Sequence, residues 1–98
     1  MSASALTWTG NPTHIDDLDI SPADGGYIIY RADQDRVHFL NPTAVLILEL
    51  CSGANSREQI VELVKEAYGL THAPVEEVDE ALRQLNAEGL LLYSGGLA

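Results

Sequence analysis

Arg36-Val37-His38-Phe39-Leu40-Asn41-Pro42-Thr43-Ala44-Val45-Leu46-Ile47-Leu48-Glu49-Leu50-Cys51-Ser52-Gly53 reads as a strand running straight into a short helix. The first five residues are β-branched and aromatic enough for a strand. Asn41 offers a side-chain oxygen to cap the helix, and Pro42 stands at the first helical position, where its missing N–H costs nothing. Five apolar residues follow from Ala44 to Leu48, then Glu49, Leu50 and Cys51. Gly53 is placed to end the helix in a left-handed conformation. A helix of about ten residues that is apolar nearly all round belongs in the middle of a core, Leu46 included. The strand leading into it then lies against that core, and its outer edge becomes a candidate docking site.

Upstream, Tyr27-Ile28-Ile29-Tyr30-Arg31 is a second strand, joined through the polar turn Asp33-Gln34-Asp35 to Arg36–Leu40 as a hairpin. Thr13 to Ile20 alternates weakly and reads as a short first strand. Ser21 to Gly26, with Pro22, Asp24, Gly25 and Gly26, carries turn chemistry. Downstream the period becomes helical. Ser56 and Gln59 form a capping box that opens a second helix running to Tyr68, with Gly69 to end it. Pro74 begins a third, with Glu76 and Glu77 in its first turn. Val75, Val78, Leu82 and Leu85 hold the helical spacing, and Gly89 stops it. Leu90 to Tyr93 leaves as an extended segment. The sequence therefore divides into a flexible tail over 1–12, one domain over 13–93 and a second flexible tail over 94–98.

Composition narrows the function. The chain of 98 residues, 46% hydrophobic, holds one modest core. No apolar run is long enough to span a bilayer, and Met1 to Gly10 lacks the pattern of a secretory signal. A lone cysteine, Cys51, cannot form an internal disulfide, so a cytoplasmic location is expected. Fifteen acidic residues against five basic give a net charge of −10, which repels phosphate backbones and argues against nucleic-acid binding. No catalytic order of Ser, His and acid is present, and no glycine-rich phosphate loop. His14, His38 and His72 stand apart, so no metal site is expected. The chain reads as a non-enzyme without a cofactor.

Leu40-Asn41-Pro42-Thr43-Ala44, then Leu48-Glu49-Leu50 and Gly53, the helix around Ile60, and the ending Leu82-x-x-Leu85-x-x-x-Gly89-Leu90-Leu91 together resemble the PqqD family. Members are leader-peptide-recognition domains for ribosomally made, enzymatically modified peptides, pyrroloquinoline quinone biosynthesis among them. The resemblance implies an α+β, winged-helix-like fold, a three-stranded antiparallel sheet packed on three helices. It also implies a non-catalytic role. The leader of a precursor peptide would be bound as an extra strand beside the third strand and against the third helix, then presented to a modifying enzyme, often of the radical S-adenosylmethionine type. On this chain the strand is Arg36 to Leu40 and the facing helix is Val75 to Glu88. The residues so assigned are Arg36, Val37, His38, Phe39, Leu40, Val78, Asp79, Leu82 and Arg83.

Each also has a plainer reading. Val37 and Phe39 share one face of the strand, and Arg36, His38 and Leu40 the other. Phe39 is expected in the core, with the groove as its alternative. His38 is expected to be solvated or hydrogen-bonded, and Cys51 to be an inert core residue. Asp79 and Arg83, four apart, are expected to pair with each other, unless Arg83 meets an acidic side chain of the leader. The row Glu58, Glu62, Glu66 reads as a solvated face. Two rival functions are a DNA-binding winged-helix regulator and a subunit that only stabilises a partner enzyme. The first needs a basic third helix, whereas this one sets Glu76, Glu77, Asp79, Glu80 and Glu88 against Arg83 alone.

Overall fold

A computed structural model describes residues 11–92. The strands β1 (Leu18–Ala23), β2 (Gly26–Arg31) and β3 (Arg36–Leu40) come first, followed by helices α1 (Pro42–Leu50), α2 (Arg57–Tyr68) and α3 (Val75–Ala87). The strands form one antiparallel sheet in the order β1-β2-β3. The expected α+β architecture of three strands followed by three helices is what the chain adopts.

The first strand differs in extent from the sequence reading. It starts at Leu18 and runs through Pro22 to Ala23, so only Asp24 and Gly25 remain for the turn. Pro22 is tolerated because β1 is an edge strand. It lies opposite Tyr27, whose backbone bonds toward β3, so an N–H at residue 22 would point away from the sheet in any case. Asn11 and Pro12, assigned by sequence to the tail, are tied to the body. The Asn11 side chain donates to the Gly53 carbonyl at 3.0 Å, Gly53 N–H donates to the Pro12 carbonyl at 3.1 Å, and Pro12 is buried. Thr13 bridges Ser52, and His14 bridges Leu91, which holds the start and the end of the domain together.

Asn41 caps α1 as expected, its side-chain oxygen accepting from Ala44 N–H at 2.8 Å. Gly53 does not end that helix. Cys51 does, with φ −81°, its N–H bonding the Ile47 and Leu48 carbonyls. Gly53 lies two residues on, in the turn that meets Pro12. The capping box of Ser56 and Gln59 is complete, and Gly69 closes α2 with φ 62°, the left-handed value expected of it.

The core is built around α1. Ala44, Val45, Ile47 and Leu48 are buried against Ile29 and Leu40 of the sheet, Ile60, Val61 and Val64 of α2, and Val78, Leu82 and Leu85 of α3. Leu46 and Leu50 are half-buried at its margin, so Leu46 is not the central residue that an apolar run suggested. Cys51 is fully buried, and loss of hydration pushes its thiol up to about 12. It is the inert core cysteine expected.

Candidate functional site

The third strand sets the site. Its inward face carries His38 and Leu40, 7% and 2% exposed, and its outward face carries Val37 and Phe39, 61% and 54% exposed. Phe39 is thus not a core residue. Strict alternation admits only one face of β3 to the core, and the hairpin register gives that place to His38 opposite Ile29 and Leu40 opposite Tyr27. The Phe39 ring instead lies over Gly26, where an added Cβ would come within 2.8 Å of its Cζ and would collide with the Leu40 carbonyl oxygen.

That carbonyl also fixes where the backbone groups of β3 point. Leu40 C=O faces β2. Backbone groups of successive residues in an antiparallel strand face opposite sides, so Leu40, His38 and Arg36 bond β2. The N–H and C=O of Val37 and Phe39 face the other way, along an edge that no other strand covers among the described residues.

Across from this edge stands α3. Glu77, Ala81, Gln84 and Glu88 follow one another at steps of four, three and four, a single stripe down the helix. Its C-terminal end is joined to β3. His38 Nδ1–H donates to Glu88 Oε1 at 2.7 Å, and the Gln84 amide donates to Glu88 Oε2 at 3.1 Å. The other imidazole nitrogen, Nε2, is buried without a partner. Beside this contact Arg31 reaches from β2, donating to the Gly89 carbonyl at 2.7 Å and pairing with Asp33. That ion pair holds the exposed Asp33 carboxyl below its usual range. Toward the other end of α3, Glu77, Glu80, Ala81 and Gln84 face Asn41, Thr43 and Ala44 across a shallow depression of about 390 Å³. The helix therefore runs opposite to the path from β3 into α1, touching β3 through His38 and Glu88 and leaving the depression between its first turns and the start of α1.

Of the sequence-assigned residues, Arg36, Val37 and Phe39 are exposed on β3 while His38 and Leu40 are buried, and none of the five lines this depression. Val78 and Leu82 are fully buried beneath the helix stripe. Asp79 does not pair with Arg83. Its carboxylate accepts both Nε and a terminal nitrogen of Arg57 at 2.6 Å each, on the side of α3 that faces α2. This two-point bond raises the Arg57 pKa further. A planar guanidinium packed between two helices outcompetes an exposed pair on one helix. Arg83 is exposed and makes no ion pair among the described residues. The stripe itself escaped the sequence reading because its members are charged, polar or small. The available signal was position: all four flank the apolar row Val78, Leu82, Leu85 on one side.

Among the described residues no group of three or more His, Cys, Asp or Glu side chains could hold a metal ion, and no helix is long and apolar enough to cross a membrane. The described residues form a small α+β fold with an open strand edge beside one helix stripe. The family model of coenzyme PQQ synthesis protein D (PqqD) matches residues 26–91, well over half of the chain, and the chain belongs to that family. It is similar in fold to the solution NMR structure of the PqqD truncation of Methylobacterium extorquens PqqCD, described as a functional and stand-alone RiPP recognition element. That structure shares 20% identity, with a TM-score of 0.69 over 95% of this chain and all of the other. No curated protein matches the chain.

Proposed function

We propose that this chain is a non-catalytic, cytoplasmic recognition domain for a ribosomally made precursor peptide. The leader segment would add to β3 as a fourth, antiparallel strand and be presented to a modifying enzyme of the radical S-adenosylmethionine type. Family membership supports the recognition role. The observation that carries the mode of binding is the outward-facing backbone of Val37 and Phe39, beside exposed side chains and across from α3. Main-chain hydrogen bonds would supply affinity, and alternate side chains of the peptide would meet the α3 stripe on one side and Val37 and Phe39 on the other. Val78 and Leu82 would act from beneath, holding α3 at its distance from the strand. A DNA-binding role is disfavoured by the acidic third helix, on which Arg83 is the single base.

The test is calorimetric titration with any short precursor peptide found encoded beside this chain's gene. Val37→Pro and Phe39→Pro each remove an outward N–H and should abolish binding while circular dichroism shows a folded domain. His38→Pro would instead break the β2–β3 ladder and lose the fold. Binding unchanged in both outward variants would rule out strand addition. Co-purification with a modifying enzyme, but no affinity for any precursor, would favour a purely stabilising subunit.

A further inference from the structure

Charge is unevenly placed along the proposed peptide path. At the end where β3 passes into α1, Glu77 and Glu80 face the depression, and its other lining residues Asn41, Thr43, Ala44, Ala81 and Gln84 are uncharged. At the opposite end stands a base. Arg36 opens β3, exposed and unpaired among the described residues, on the same strand face as His38. Of the acids on this side, Asp35, next to Arg36 in sequence, accepts from the Tyr30 hydroxyl, and Glu88 is engaged by His38 and Gln84. The remaining bases lie elsewhere or are spent: Arg31 on Asp33 and Gly89, Arg57 on Asp79.

We infer that this polarity selects the ligand of the proposed peptide site: a segment with a basic side chain at its N-terminal end and an acidic one at its C-terminal end. The inference rests on the strand-addition reading above. A strand antiparallel to β3 begins beside Leu40 and Asn41, so its first inward side chain meets Glu77 and Glu80. It ends beside Arg36. At about 3.4 Å per residue the two charges are set four to six residues apart. The surplus negative charge of the domain draws the basic end in at long range, and Arg36 then sets direction, because a reversed peptide places like charges together at both ends.

The experiment is selection of a displayed library of random twelve-residue peptides on the immobilised chain, repeated on the variants Glu77→Gln/Glu80→Gln and Arg36→Glu. The expected pool from the parent is enriched in Lys or Arg four to six residues before Asp or Glu. A selected peptide should bind the double Gln variant at least tenfold more weakly. The Arg36→Glu variant should lose the preference for the acidic end. A pool that is displaced by Val37→Pro but shows no charge order overturns the inference and leaves strand addition standing. A pool that binds the parent and Val37→Pro alike, or no enriched pool at all, overturns both.

Discussion

His38 and Glu88 tie the edge strand to the end of α3. One comes from the edge strand and the other from the end of α3, fifty residues later, and they meet at 2.7 Å with the imidazole 7% exposed. The remaining ring nitrogen has no partner, so this single bond satisfies the only part of the imidazole that is satisfied.

Glu88→Ala should therefore strand a buried imidazole and destabilise the domain by about 1–3 kcal/mol in urea melts. Adding His38→Leu should recover most of that loss, since an apolar side chain has nothing left to satisfy. Strictly additive losses in the double variant would show that the two side chains are not coupled.

Ile47 and Leu46 are neighbours with different fates. Ile47 is fully buried and Leu46 half-buried. Ile47→Ala should lower stability by about 2–5 kcal/mol, and Leu46→Ala by clearly less, in the same denaturant series. Equal losses would contradict the placement of Leu46 at the margin of the core.

Asp79→Asn should weaken the α2–α3 contact by about 1–2 kcal/mol, because it removes the charge from a two-point bond to Arg57. Arg57→Lys should not restore it, since an ammonium cannot satisfy both oxygens in the plane. Arg83→Ala should leave stability unchanged, and a comparable loss there would return Arg83 to the role of Asp79's partner.

Cys51 should resist a thiol reagent in the native protein at pH 8 and react at the rate of unfolding. Its folded thiol titrates near 12, above the ordinary range of about 8.5. The sign follows from the proton: the native state keeps it when the unfolded chain has released it. Stability from this group is complete below about pH 8.5 and is lost as pH rises from there toward 12. Cys51→Ala should remove that component of the alkaline decline, and an identical decline in the variant would refute the assignment.

Much of this fold is written locally. The Asn41-Pro42 start of α1, the Ser56–Gln59 box and the Gly69 stop are decided by groups within a few residues, and each stands where the sequence places it. The strand path through Pro22 was not legible, because a proline in a strand is allowed only by an edge position, and edge position is a property of the assembled sheet. The same limit governs the site. The β3 edge proposed for the peptide is one contiguous stretch, and its strand reads directly. Which flank of α3 faces it depends on the rotation of the helix about its axis, set by Val78, Leu82 and Leu85 packing inward. Asp79 and Arg83 fall on the other flank, and no local rule separates the two.

Pro22 bears on how many strands the domain can accept. An incoming strand at β1 would find a ring where a donor is needed, whereas β3 offers its full complement of outward groups. The sheet is therefore more readily extended at β3, which, if a peptide adds there as proposed, favours a ratio of one peptide to one chain and weakens the two-sided edge that propagates fibres. A second copy seeking to pair would have to use the same β3 edge. Self-association by that route and the proposed peptide capture would then be mutually exclusive, and any such dimer would dissociate as the peptide is added.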